Sequence, residues 1–264
     1  MKKIFVVANQ KGGIGKTTTA IAMASILNRL EHKTLLIDAD PSAYATDTFK
    51  AEIDGVPTLY DVIMNDKDPS KLEEAVQETE SGFIIASDPL LRRADFLCAG
   101  DPEAIFRLND AILDAKERGA LDDYEYIVID SPPLAITLLN ICLMAADSVI
   151  IPVTPDRYAV KGLTEMYQTI KAVRRRSNKD LEIYGLLLVM LDPRLKIYKE
   201  TKNTILEVAK MMETRLIQTA IRQSVAAKEA QTARKTLLEY SPGCTTELDY
   251  EDFVDLILEE SEDK

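Results

Sequence analysis

The chain has 264 residues, 46% of them hydrophobic and 29% charged, which supplies apolar material for a large α/β core and excludes a disordered segment. Its net charge of −12 excludes a general nucleic-acid coat, and no apolar run reaches the ~18–20 residues of a membrane span. The single histidine, His32, excludes His-based metal sites and most Ser-His-Asp arrangements, and three distant cysteines (Cys98, Cys142, Cys244) without a CxxC pair read as reduced thiols of a cytosolic protein.

Strands and helices are expected to alternate. "KIFVVAN" (Lys3–Asn9) reads as a buried strand, and its short apolar run does not make a secretory signal. Glycines follow, then a helix over Thr17–Leu30 and a second strand, "KTLLID" (Lys33–Asp38). "PTLYDVI" and "KLEEAVQE" read as helices, and "GFIIAS" (Gly82–Ser87) as a third strand. Pro102–Glu117 is expected to be one helix, with Asp101 as N-cap and Gly119 just past its end. "YEYIVID" (Tyr124–Asp130), "DSVIIPV" (Asp147–Val153) and "EIYGLLLVMLD" (Glu182–Asp192) are three further strands, with the apolar helix "LAITLLNICLMAA" after the first of them. The C-terminal "YEDFVDLILEESEDK" reads as a final acidic helix packed on the core. Unbroken apolar strands separated by helices predict a doubly wound, mostly parallel α/β sheet flanked by helices, with no repeat, linker or domain boundary over residues 1–264.

"GGIGKTT" stands where the first strand ends and a helix begins. In such a loop backbone N–H groups point inward and the helix N-terminus adds positive potential, the chemistry of a phosphate cradle. Gly12, Gly13 and Gly15 free the backbone, Lys16 would reach the β- and γ-phosphates, and the Thr17 hydroxyl would sit on Mg²⁺. Against the general pattern G-x-x-x-x-G-K-[ST], the first glycine is replaced by Gln10, and an additional lysine, Lys11, follows it. Asp38 and Asp40 close the second strand and Asp130 closes the "YIVID" strand. Acids at these strand ends would meet the loop at one edge, the usual place for a Mg²⁺ shell.

Charge is unevenly distributed. Lys171–Lys235 holds 15 Lys/Arg against 7 Asp/Glu, a net of +8, which leaves −20 for the remainder. A basic segment in an acidic chain is a candidate polyanion footprint, although solvated helix surfaces produce the same count.

Lys11-Gly12-Gly13-Ile14-Gly15-Lys16-Thr17 resembles the deviant phosphate loop KGGxGKT of the ParA/MinD branch of P-loop ATPases. Within that branch, "ANQKGGIGKTTTA", "LLIDADPSAYAT" and "YEYIVIDSPPLAITLLNICLMAADSVIIPVTPDRYAVKGL" are similar to ParA/Soj-type partition ATPases, and the likeness weakens toward "AIRQSVAAKEA". The resemblance implies a P-loop fold and a Mg²⁺-dependent ATPase. The nucleotide would be held by Lys11, Gly12, Gly13, Ile14, Gly15, Lys16, Thr17 and Thr18, and the metal by Thr17, Asp38 and Asp130. Lys11, Lys16 and Asp40 would be catalytic, with Asp40 positioning water and Lys11 crossing to the partner's phosphates in an ATP sandwich homodimer, as an arginine finger does. It further implies non-specific duplex DNA binding, a ParB-like centromere-binding partner, no membrane partner and a cytoplasmic, nucleoid-associated location. The DNA candidates are Arg194, Lys196, Lys199, Lys202, Arg222, Lys228, Arg234 and Lys235. No N-terminal helix-turn-helix extension, and so no sequence-specific autorepression, is expected.

Other readings fit less well. A MinD-like positioning ATPase on a non-DNA surface would use a basic terminal helix, and this one is acidic. Iron–sulfur relatives need interface cysteines, and tyrosine kinases of this fold need a tyrosine cluster where only Tyr240 and Tyr250 occur. A nucleotide-dependent regulatory or scaffold protein would not need Thr17, Asp40 and Asp130 together.

Overall fold

The computed structural model describes residues 1–64, 71–134, 136–156, 158–192, 194 and 197–262. From the N-terminus the elements are β1 (Lys3–Val7), α1 (Lys16–Arg29), β2 (Thr34–Asp38), α2 (Tyr44–Phe49), α3 (Leu59–Met64), α4 (Lys71–Ala75), β3 (Val76–Thr79), β4 (Gly82–Ile85) and α5 (Leu91–Cys98). A 3-10 turn (Pro102–Phe106) leads into α6 (Arg107–Glu117), then β5 (Tyr126–Asp130), α7 (Ile136–Ala145), β6 (Ser148–Val153), α8 (Ala159–Arg176) and β7 (Glu182–Leu191). The chain continues through α9 (Ile197–Met211), β8 (Leu216–Arg222), α10 (Val225–Ala233), α11 (Leu237–Tyr240) and α12 (Thr245–Glu262).

The eight strands of the described residues lie in one sheet, ordered β3-β4-β2-β5-β1-β6-β7-β8. Every pairing is parallel except β3 with β4. This is the doubly wound, P-loop-type α/β architecture expected from the apolar runs. Residues of the central strands are buried on both faces and alternate between two cores. Ile4, Val6, Leu35, Ile37, Ile127 and Ile129 pack toward the side of α3 to α9. Phe5, Val7, Leu36, Tyr126 and Val128 pack toward α1 and α12. The acidic terminal helix seats Tyr250, Phe253, Val254 and Ile257 in that second core, as its apolar stripe predicts.

Three expectations are corrected. The "KLEEAVQE" helix stops at Ala75, and Val76–Thr79 turns back as an antiparallel strand on β4. Five residues cannot sustain a helix alone, and the chain instead closes a hairpin at Gly82 (φ 125°), where the Thr79 hydroxyl donates to the Gly82 carbonyl at 2.9 Å. Strand β8 was absent from the six expected strands because it is an edge strand whose burial is interrupted, without a continuous apolar run. The segment Pro102–Glu117 is divided at Arg107. Asp101 caps the 3-10 turn by accepting from the Glu103 N–H, and the α-helix begins only after it.

Candidate functional site: a phosphate cradle at the central strand ends

β1 lies between β5 and β6, so the loop leaving it opens at the carboxyl edge where the winding reverses. α1 begins on Gly15, whose φ of 80° is left-handed, and no side chain caps it. The Thr19 N–H returns to the Gly15 carbonyl at 2.9 Å. The preceding N–H groups of the first turn are therefore the ones that a helix leaves unbonded and that suit phosphate oxygens. Gly13 is also left-handed, at φ 70°, and a Cβ on Gly12 or Gly13 would meet nothing within 4 Å. Glycine is required at Gly13 and Gly15 by conformation. At Gly12 the open space itself is what a ligand can occupy.

Lys16 is 6% exposed, and its ammonium donates to the Lys11 carbonyl at 3.2 Å. Burial pushes this ammonium below the ordinary lysine range, while Asp130 and Asp40 act against that shift. Asp38 and Asp130 are partners across the β2–β5 pairing, so both end their strands at the same level. Both are fully buried, yet their surroundings differ. Asp38 accepts from the Asp40 N–H at 3.1 Å and from the N–H and hydroxyl of Thr46, each at 2.8 Å. Burial raises its carboxyl to about 6 in spite of those bonds. Among the described residues neither oxygen of Asp130 makes a hydrogen bond of normal geometry, although the Thr17 hydroxyl stands close enough to favour the charged form. Burial, and then the neighbouring Asp38, raise its carboxyl well above the usual range, although Thr17 and Lys16 act the other way. A buried, unbonded carboxylate is costly unless a cation supplies the missing interaction.

Asp40 is 9% exposed and faces the cradle; its carboxylate accepts from the Ser42 N–H at 2.9 Å, and its carbonyl accepts from the Ser87 hydroxyl at 2.7 Å. A cavity of about 770 Å³ opens here, lined by Gly13 to Thr18, Asp40, Tyr44, Pro133 and Met190, with α10 and α11 as its far wall. That volume matches small-ligand pockets. Among the described residues no group of three Asp, Glu, His or Cys side chains is placed to hold a metal by itself. A hard cation here would draw its remaining oxygens from phosphates and water, as Mg²⁺ does. The orphaned Asp130 and the glycine cradle thus fit a Mg²⁺–nucleotide.

The structure brings Gly12 to Thr18, Asp38, Asp40 and Asp130 to one sheet edge. Lys11 shares the loop, but its ammonium turns to the segment after β6, pairing with Asp156 and donating to the Thr154 hydroxyl at 3.3 Å. The DNA candidates are scattered. Lys228, Arg234 and Lys235 line the cavity itself, and Arg234 lies 3.8 Å from Asp47. Arg194 and Lys202 are exposed, Arg194 holding Asp192 at 3.1 Å. Lys196 lies outside the described residues, and of Lys199 only the helical backbone is described. Arg222 grips the buried Asp249 through its side-chain nitrogens and its own N–H, and the Thr246 hydroxyl donates to its carbonyl at 2.8 Å. Arg222→Ala is therefore expected to lower Tm, by leaving the buried Asp249 with the backbone N–H of residue 222 in place of the guanidinium. A thermal melt checks it, and an unchanged Tm would remove the structural role.

Some site residues carried no sequence signal. Met190, at φ 55°, sits beside Gly15 in a conformation rare for its side chain. Gln231 reaches from α10 to donate to the Thr18 hydroxyl at 2.9 Å. Thr46, which fixes Asp38, stands in the "DADPSAYAT" segment but is distinguished there by nothing except position.

Fold and site together define a P-loop nucleotide-binding α/β protein. A family profile described as AAA domain matches residues 2–183. The chain is 34% identical over 253 residues to the "Chromosome partitioning protein ParA" of Myxococcus xanthus, covering 93% of this chain and 85% of that one. It is 34% identical over 244 residues to the "Sporulation initiation inhibitor protein Soj" of Bacillus subtilis, covering 92% of each. Among solved structures, cobyrinic acid a,c-diamide synthase from Mycobacterium smegmatis with bound ADP and magnesium superposes with a TM-score of 0.79 at 26% identity, over 98% of this chain and 94% of that one. The chain belongs to the ParA/Soj family of P-loop ATPases.

Proposed function

We propose that this protein is an ATP-dependent DNA-partition ATPase, using ATP and Mg²⁺. It dimerises on ATP, binds duplex DNA without sequence preference, and hydrolyses ATP when a centromere-binding partner stimulates it. Lys16 holds the phosphates, and Thr17, Asp38 and Asp130 order the metal shell, which neutralises phosphate charge when Mg²⁺ is bound. Asp40 orients the attacking water. The observation that carries the reading is the position of Lys11. One buried lysine already serves the cradle, and the second points away from it toward Asp156. A spare cation at the open mouth of a phosphate site suits delivery to a facing subunit, which makes the nucleotide part of the interface.

The test is steady-state ATP turnover with and without duplex DNA, alongside sedimentation with and without ATP–Mg²⁺. Turnover that is weak alone and a dimer that appears only with nucleotide are expected. A nucleotide-independent dimer, or no turnover under any condition, overturns the reading.

For DNA, Arg194, Lys202 and Arg222 are exposed candidates outside the nucleotide cavity, and Arg222 is committed to Asp249, so Arg194→Ala with Lys202→Ala is the cleaner variant. In a dimer it removes up to four phosphate contacts, and the slope of log affinity against log salt should fall by about 3 to 4. A filter-binding series in ATP checks this. An unchanged slope in a variant that still dimerises places the DNA surface elsewhere.

A further inference from the structure

The segment after β6 carries a small network that the proposed chemistry does not use. Asp156 pairs with the Lys11 ammonium and accepts from the Thr154 hydroxyl at 2.5 Å and from the Tyr158 N–H at 2.8 Å. Thr154 contacts the same ammonium at 3.3 Å. Gly162 stands close by, where an added Cβ would be 4.0 Å from the Lys11 Cβ. Burial pushes the Asp156 carboxyl up, yet the Lys11, Thr154 and Tyr158 contacts hold it below the usual carboxylate range. The carboxylate is thus ionised, fixed in direction by its own loop, and aimed at one cation. Both partners keep about a third of their side-chain surface exposed, so the pair is of the modest kind that can be broken.

We propose that Asp156, assisted by Thr154, is a positioning residue that latches Lys11 onto its own subunit in the nucleotide-free chain, so that the lysine becomes available to a second copy only when this pair breaks. The inference rests on the trans-lysine reading above and adds its restraint. A cation free to swing could fold back onto the phosphates of its own cradle, where it would neutralise charge without a partner. The latch keeps it outside that cradle, and a facing subunit's nucleotide, with its greater negative charge, competes it away. An exposed pair of this type is worth up to about fivefold in an equilibrium. A symmetric dimer breaks two of them, so the restraint on dimerisation is up to about twenty-five-fold, and about tenfold for a pair worth about threefold.

The experiment measures the dimer dissociation constant by sedimentation in AMPPNP and Mg²⁺, which separates association from turnover. Asp156→Asn retains an oxygen for the Tyr158 N–H and removes the charge. It should dimerise about tenfold more tightly than wild type, with Thr154→Val giving a smaller shift in the same direction and Asp156→Glu restoring wild-type behaviour. In a Lys11→Ala background Asp156→Asn should have no effect, because the residue acts through Lys11. An equal or weaker dimer in Asp156→Asn at unchanged Tm, or the same gain in the Lys11→Ala background, overturns the latch alone. A wild-type chain that forms no AMPPNP-dependent dimer overturns the latch together with the trans-lysine reading.

Discussion

Asp40→Ala is expected to bind ATP–Mg²⁺ about as tightly as wild type and to hydrolyse it about a hundredfold more slowly or worse. Removing a group that directs water or its proton in the transition state costs on the order of 10²–10⁴ in rate. The aspartate faces the cradle from the end of β2, and its neighbour Asp38 is already committed to three hydrogen bonds from Asp40 and Thr46. Among the described residues Asp40 gives its carboxylate to the Ser42 N–H alone. Its backbone is tethered independently by Ser87, so loss of the carboxylate leaves the loop in place. Single-turnover hydrolysis and nucleotide titration separate the two effects. Turnover within a few-fold of wild type removes Asp40 from the chemistry, and parallel loss of binding assigns it to the cradle instead.

Asp130→Asn should raise the Tm of the nucleotide-free chain while abolishing the extra stabilisation that Mg²⁺ adds to ATP. Its carboxylate is fully buried with both oxygens unbonded, a configuration kept for a cation at a cost to the empty fold. Relief of about 1–2 kcal/mol corresponds to roughly 2–8 °C for a chain of this size. The pH dependence follows the same sign. A carboxyl raised above its unfolded value stabilises the fold through its protonated form, fully below about pH 4. That contribution is lost as pH rises through the folded value, which is about 6 for Asp38. The empty wild-type chain should therefore lose Tm between about pH 4 and 6, and Mg²⁺–ATP should restore it. The Asn variant should show a flatter profile. Melts with and without Mg²⁺–ATP check both, and a lower Tm for Asp130→Asn, or an undiminished Mg²⁺ increment, contradicts this account.

The architecture and the centre of the site were legible because they depend on local, periodic features. Five- and six-residue apolar runs can be satisfied only by a sheet covered on both faces, and a glycine loop between strand and helix can hold little except an anion. Asp38 and Asp130 follow from the same logic, since each ends an apolar strand in a parallel sheet. The division of labour between them was not legible. Both read as "ID", and only the tertiary structure fills the lone pairs of Asp38 with Thr46 and leaves Asp130 bare. The basic segment shows the same boundary. Its net charge is a property of composition, but whether an arginine is free depends on what lies opposite it. Arg222 is tied to Asp249, 27 residues away, and Lys228, Arg234 and Lys235 are folded back onto the nucleotide cavity. Lys11 was recognisable as an additional cation from the loop alone. Its counter-ion, Asp156, lies 145 residues away, and the pairing exists because β6 runs beside β1. Sequence by itself determined the six apolar strands and pointed to the phosphate chemistry, whose causes are short-range, whereas the edge strands β3 and β8 emerged only in the folded sheet. Only the tertiary structure decided which charges are paired, because pairing is set by strand order and helix packing across the whole chain.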